Sequence, residues 1–265
     1  MKKLYDLHIH SCFSDGKNTP EEICAEVKAA GLYGFALTDH DTAAGLAGAE
    51  KEAENLGLCF VPGIEVSGYD GCEVHILGLG IDYKAPAFLR ELDEIRAVRN
   101  ARNARILQKL SSFGIIITEE DLERQGPGSS GRGQIARAMA AKGYAANSRD
   151  AFHKYLAEGG PADCGSVCFP PEKGIGLIRR GGGKAYLAHP RRLKLKESGI
   201  FRLIDKLIEK GLDGIEVYYP RHDAAFVKKL LNAAHEKNLL ICGGTDNHGN
   251  DDDAPIGSVK AEWKL

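Results

Sequence analysis

Leu4-Tyr5-Asp6-Leu7-His8-Ile9-His10, near the start of the chain, alternates apolar and polar residues. That is the period of a β-strand, whose successive side chains point to opposite faces. Asp6, His8 and His10 are therefore expected on one face, where the two imidazoles present themselves to a single ion. Alone, His-x-His is a weak signal, because a hydrogen-bonded structural pair reads the same way.

Short apolar runs recur at 35–38, 58–62, 74–79, 185–188, 214–218 and 239–242, with helical patterns between them. Thr19-Pro20-Glu21-Glu22 opens one helix with an N-cap and a first-turn proline. Thr42 is expected to cap a second, which runs to Leu56 and stops at Gly57. Stretches 201–210 and 224–237 are amphipathic and end in ordinary helix stops. Strands alternating with helices predict parallel pairing in an α/β sheet or barrel.

The rhythm breaks from 85 to 183, where no good strand is found. Phe88, Leu92, Ile95, Ile106 and Leu110 share one face of a long helix. Further helices are expected at 134–142, after a glycine-rich loop at 125–133, and at 148–156. The expected organisation is a barrel built from 1–84 and 184–265, with 85–183 as a helical insertion. On the stripe of the long helix, Arg99 and Arg102 stand where apolar residues belong, and we expect them in an interhelical seam.

Composition narrows the function classes. The 35 Lys+Arg against 37 Asp+Glu give a net charge of −2, which excludes a basic coat for long duplex nucleic acid. No apolar run approaches the ~18 residues of a membrane span, and Asp6 and His8 interrupt any signal-peptide core. Seven scattered cysteines without a C-x-x-C read as reduced thiols in a cytoplasmic protein. Cys164 and Cys168 lack the second pair that a structural zinc site needs.

Polar residues gather where the expected strands end, the edge at which (β/α) barrels build active sites. Asp15 follows strand one, and Thr38-Asp39-His40-Asp41 ends strand two. Gly63-Ile64-Glu65 ends strand three and His75 lies in strand four. His189 ends strand five, and strand seven runs into Thr245-Asp246-Asn247-His248. Six imidazoles and three carboxylates on one rim would be unfavourable without compensation. Divalent Zn, Mn or Fe suits such a donor set.

These motifs resemble one family. Asp6-Leu-His-Ile-His-Ser11 with Ser14-Asp-Gly16, Thr38-Asp-His-Asp41, Gly63-Ile-Glu-Val-Ser67, His75-Ile-Leu-Gly78, Ala188-His-Pro190 and Gly244-Thr-Asp-Asn-His248 are similar to the motifs of the PHP (polymerase and histidinol phosphatase) family. Gly131-Arg132, Ile135–Ala138, Asp150-Ala151-Phe152 and Lys154-Tyr155-Leu156 resemble the insertion of a branch containing nucleoside 3′,5′-bisphosphate phosphatases and short-RNA 5′-to-3′ exonucleases. Gly133-Gln134 departs from the Pro-His common there, which leaves the start of that helix and the role of Gln134 open.

The resemblance implies a distorted seven-stranded (β/α) barrel holding two to three divalent ions. The first would take His8, His10, Glu65 and Asp246, and the second Glu65, His75 and His189. Asp15, His40 and His248 would hold the third. Ions ~3.5–4 Å apart can share a hydroxide and clamp a phosphoryl group. The resemblance also implies a phosphate-contacting Arg192 and a substrate or leaving-group His222, with Asp246 counted in the catalytic set beside them. Arg132 is a candidate to reach the substrate from the insertion. His153 and His235 are read as structural, and Tyr218 and Tyr219 as packing residues.

The expected activity is a metal-dependent phosphoesterase for a nucleoside bisphosphate or short oligonucleotide. Histidinol phosphate, or another phosphorylated metabolite, is the alternative substrate. A non-catalytic metal-binding module is the alternative class, which the complete ligand set disfavours.

Overall fold

The computed structural model describes residues 2–123, 131–165 and 169–263, with Glu123 described by its backbone alone. Most of the glycine-rich loop, and Cys168, lie outside the described residues. The first elements are β1 (Leu4–Ile9), α1 (Pro20–Ala29), β2 (Gly34–Leu37), α2 (Leu46–Leu56), β3 (Cys59–Tyr69) and β4 (Glu73–Leu79). A helical stretch follows, with α3 (Pro86–Ser112), α4 (Glu119–Glu123), α5 (Arg132–Ala141) and α6 (Ser148–Ala151), which runs into a π-helical turn, Phe152–Leu156. The chain ends with α7 (Pro171–Arg180), β5 (Lys184–Leu187), α8 (Glu197–Glu209), β6 (Gly214–Tyr218), α9 (Ala224–Glu236), β7 (Leu240–Gly243) and β8 (Ala261–Glu262).

All strands among the described residues join one sheet in the order β7-β6-β5-β4-β3-β2-β1-β8. The sheet curls almost closed. Beyond β7, the Asp246 N–H donates to His8 O at 2.8 Å, and the His10 N–H donates to Asn247 O at 2.9 Å. At the opposite end of β1, β8 lies antiparallel on Leu4 and Tyr5. This is the distorted α/β barrel expected, with the two-residue β8 added at its seam.

Local chemistry explains the boundaries. Thr19 and Glu22 form a reciprocal capping box at the start of α1, with Pro20 in the first turn. Gly57, at φ 67°, ends α2 in the left-handed conformation that glycine adopts without penalty. Thr42 does not cap that helix. Its Oγ1 accepts the Ala44 N–H at 3.2 Å in a local turn, and α2 begins only after Gly45. At α5, Gln134 Oε1 accepts the Gly131 N–H at 3.0 Å, which settles the start of that helix.

Uniformly parallel pairing does not hold. β4 runs antiparallel to both β3 and β5. Only Asp70-Gly71-Cys72 separates β3 from β4, a turn far too short for the crossover that a parallel pair requires. The start of β4 therefore lies where the other strands end, and this brings His75 to the rim.

Three buried clusters are distinct among the described residues, one of them formed by strand residues that include Tyr5, Leu7, Leu77 and Tyr186. The main one packs helices on the sheet and includes Phe88, Leu92 and Ile95 of α3 with Ile175, Leu177 and Ile178 of α7. Each such buried side chain contributes about 1.5–3 kcal/mol. A second core runs from Ile106 and Leu110 through Ile135 and Met139 to Leu156 and Ala162. The expected insertion, 85–183, is thus wider than the part with its own core, because the first half of α3 and α7 pack with the barrel. No helix among the described residues is long and apolar enough to cross a membrane.

Candidate metal centre

Glu65, fully buried in β3, is the hub of the rim. Its Oε2 lies 3.4 Å from His8 Nε2, 3.2 Å from His10 Nε2 and 3.2 Å from His40 Nδ1. Its Oε1 lies 2.9 Å from His75 Nδ1 and 2.8 Å from His189 Nε2. Asp246 Oδ1 is 3.2 Å from His10 Nε2, and Asp15 Oδ1 is 3.3 Å from His248 Nε2. Three overlapping groups each bring their donor atoms within 4.8 Å: His8-His10-Glu65-Asp246, His40-Glu65-His75 and His10-Asp15-His40-His248. All nine residues singled out from the sequence meet here, with His189 against Glu65 beside the second group.

The electrostatics fit cations between these atoms. His8 Nδ1 donates to Glu216 Oε1 at 2.9 Å, so His8 Nε2 carries a lone pair, yet it faces His10 Nε2 at 3.1 Å. Glu65 Oε2 and the Nδ1 atoms of His10, His40 and His189 are buried without a hydrogen-bond partner among the described residues. Buried polar atoms seldom go unsatisfied, and a divalent ion satisfies several at once. Burial pushes the Glu65 carboxyl up, but His40, His75 and His8 outweigh it and hold it well below the usual carboxylate range. Burial acts likewise on Asp246, and His8, His10 and Arg192 hold it low.

Asp6 does not join the cluster. The register of β1 against β2 shifts between Asp6 and Ile9. Tyr5 and Leu7 pack in one cluster while Ile9 packs in another. Such a bulge breaks strict alternation. The Asp6 carboxylate accepts instead from the Thr245 N–H and hydroxyl at 3.0 and 2.7 Å, and from the Gly257 N–H. Burial raises its pKa to about 6 against those hydrogen bonds.

A supporting layer of carboxylates holds the rim. Glu216, in the middle of β6, orients His8, and its Oε2 accepts the His189 N–H at 2.5 Å. Asp39 accepts from the Ser11 and Ser14 hydroxyls, and Asp41 binds the Ser67 N–H and Arg99. From α5, Arg137 donates to Asp15 O at 2.7 Å and so steadies the loop that carries Asp15. Sequence reading missed Glu216, although a glutamate inside the apolar run Gly214–Tyr218 was the available signal. Four described residues other than glycine have positive φ, and three of them, Asp41, His189 and Asp246, belong to this rim. Such strain collects at functional sites.

Three cavities of about 140, 320 and 470 Å³ open around the cluster, and Arg192 lines all three. Arg192 Nη1 donates to Asp246 Oδ2 at 2.6 Å while 47% of its side chain stays exposed. Tyr219, buried, donates its hydroxyl to the same oxygen at 3.0 Å, a role beyond the packing expected of it. Arg132 lines the two smaller cavities and grips both oxygens of Glu73 at 2.7 and 3.0 Å. His153 is exposed and lines the 320 Å³ cavity, so it is not the structural histidine expected.

One further expectation is corrected, and His222 is placed away from the three cavities. Arg99 and Arg102 are not in an interhelical seam. They line the 140 Å³ cavity beside His40, His75 and His248, because α3 passes the barrel mouth between the two cores. His222 sits beneath the Pro190–Arg192 turn and does not line these three cavities. Its Nδ1 donates to Val217 O at 2.9 Å and its Nε2 accepts the Arg191 N–H at 3.4 Å.

The PHP domain family model matches residues 6–158. A phosphoribosyl 1,2-cyclic phosphate 1,2-diphosphodiesterase of Eggerthella lenta is 33% identical, over 93% of this chain and 94% of that protein. A 3′,5′-nucleoside bisphosphate phosphatase of Chromobacterium violaceum is 35% identical, over 92% of this chain and 86% of that one. A solved Chromobacterium violaceum structure, described as an amidohydrolase with bound sulfate and no metal, superposes with a TM-score of 0.88 at 34% identity. It covers 97% of this chain and 91% of its own. With the barrel, the rim and these likenesses together, the chain belongs to the PHP domain family.

Proposed function

We propose that this protein is a metal-dependent phosphoesterase acting on phosphate esters of small nucleotides, with nucleoside 3′,5′-bisphosphates as the leading substrate class and short oligonucleotides as the next. The observation that carries this reading is the convergence of five imidazoles on Glu65 at 2.8–3.4 Å, beside a cleft that Arg192 enters. The two relatives above are named for cleaving a cyclic phosphodiester and a bisphosphate, which supports the same class of reaction here.

His8, His10, Glu65 and Asp246 would hold one ion, Glu65, His75 and His189 a second, and Asp15, His40 and His248 a third. Mn²⁺, Fe²⁺ and Zn²⁺ all suit these donors. When bound, such ions supply Lewis-acid charge on the phosphoryl oxygens and water activated at neutral pH. The chain itself does the positioning. Glu216 fixes the His8 ring and the His189 backbone. Asp246 and Tyr219 set Arg192, whose exposed part is placed to bind a phosphoryl oxygen and to stabilise charge as the ester breaks. His222 acts through the turn that carries Arg192 and not on the substrate. The helical segment supplies one wall of the cleft through Arg102, Arg132 and Phe152. The six described cysteines are free thiols, which suits a cytoplasmic setting.

The test compares substrates on the Mn²⁺-loaded protein. Phosphate release from adenosine 3′,5′-bisphosphate well above that from histidinol phosphate is expected. Equal or absent release with every metal loaded would sink the reading.

A further inference from the structure

Arg137 is half-buried in α5, yet no carboxylate among the described residues forms an ion pair with it. Its guanidinium donates to two backbone carbonyls of the loop after β1, Asp15 O at 2.7 Å and, more weakly, Gly16 O at 3.5 Å. Burial lowers its pKa, and the nearby Asp15 charge opposes that. α5 also meets the Asp15 side chain. A Cβ on Gly133 would press on Asp15 Cβ at 3.2 Å. The first turn of the helix therefore backs the side chain of Asp15, and the second holds its backbone.

Asp15 belongs to the third group of donors. Its Oδ1 lies 3.3 Å from His248 Nε2, and its Oδ2 lies 3.9 Å from His40 Nε2. The same loop reaches His248 directly, because the Lys17 N–H donates to His248 O at 2.8 Å. On the far side of His248, Asp253 accepts its N–H at 2.8 Å, and the adjacent Asp252 pairs with Arg149 of α6. Both members of that pair are more than half exposed, so it adds little.

The other donors are held from the barrel. Glu216 fixes His8 and His189, while Arg192 and Tyr219 set Asp246. Among the described residues, Asp15 is the one donor residue of the rim that a hydrogen bond from the helical segment reaches.

We propose that Arg137 is a positioning residue that couples the helical segment to the third ion. With α5 docked on its loop, Asp15 keeps its place beside His40 and His248. Without that contact the third ion is lost before the other two. The coupling rests on the metal assignment proposed above and not on which ester is hydrolysed. It acts in both directions, so the third ion in turn holds α5 against the barrel. Whether two or three ions are bound then depends on how the wall of the cleft is docked.

The test reads metal binding and needs no turnover. The chelator-treated full chain is titrated with Mn²⁺ and the bound metal per chain is measured. Asp15→Asn marks the third step, which it should abolish. Arg137→Met keeps the apolar stem and removes the donors. It should weaken that same step by about 10- to 100-fold, the range typical of losing a group behind a ligand, and leave the other steps within roughly twofold. Arg137→Lys, which keeps the charge, should recover part of the loss. In the Asp15→Asn background, Arg137→Met should have no further effect.

Hydrogen exchange supplies a second arm. Mn²⁺ that fills the third step should slow exchange in 132–141 of the wild type and fail to do so in Arg137→Met. Equal weakening of every step, no weakening of any, or a third step that survives Asp15→Asn would overturn the coupling. Exchange in 132–141 that ignores the third ion in the wild type would do the same. Each outcome stands whether or not the chain hydrolyses a nucleotide, so failure of the coupling and failure of the phosphoesterase reading are seen separately.

Discussion

Glu216 Oε1 accepts a hydrogen bond from His8 Nδ1 at 2.9 Å, while its other oxygen takes the backbone N–H of His189. One carboxylate on β6 thus fixes two donors that come from opposite parts of the chain. It sets the tautomer of His8, so that Nε2 is left for an ion, and it holds His189 at its strained φ of 27°. Carboxylates behind a ligating histidine typically matter almost as much as the ligands themselves.

Glu216→Gln should therefore lower metal affinity by roughly 10- to 100-fold. Activity should return at high Mn²⁺, because the donors themselves remain. Metal titration followed by phosphate release checks this, and unchanged affinity would remove Glu216 from the supporting layer.

Arg192 bridges the metal cluster and the cleft through Asp246. Arg192→Lys keeps a positive charge but loses the planar fork, so charge alone should not rescue it. Turnover should fall by roughly 10²–10³, the cost typical of losing one donor to a developing oxyanion. Metal content should not change. Near-normal turnover in this variant would make Arg192 a bystander.

His222 supports the turn that carries Arg191 and Arg192, with both ring nitrogens on backbone groups. His222→Ala should reduce kcat by less than ~10-fold and leave the shape of the pH–rate profile intact, whereas removing a general acid costs ~10²–10⁴. Loss of one limb of that profile would restore it to the chemistry.

Much of this site was legible in the sequence. His8, His10, Asp15, His40, Glu65, His75, His189, Asp246 and His248 all meet at the rim. Most do so because strand-end motifs are local and the barrel collects strand ends, whereas Glu65 lies inside β3 and His75 near the start of β4. What escaped depended on non-local geometry. A bulge in β1 turned Asp6 away from His8 and His10, and a three-residue turn reversed β4. Arg99 and Arg102 broke the apolar stripe of α3 for a reason that periodicity could not supply, since the helix passes a cleft between two cores. Glu216 carried no motif, only its place inside the apolar run Gly214–Tyr218, and its bond to His8 shows its part.

If the donors around Glu65 hold the ions that drive hydrolysis of nucleotide phosphates, occupancy and activity rise together. Metal content per chain is measured together with phosphate release from adenosine 3′,5′-bisphosphate during Mn²⁺ titration of the chelator-treated protein. Wild type should gain two to three ions per chain, and release should rise in step with occupancy. Glu65→Gln should lose at least one ion and nearly all release while keeping its far-ultraviolet circular dichroism. Full activity in the stripped wild type, or normal metal content and activity in Glu65→Gln, would contradict the account.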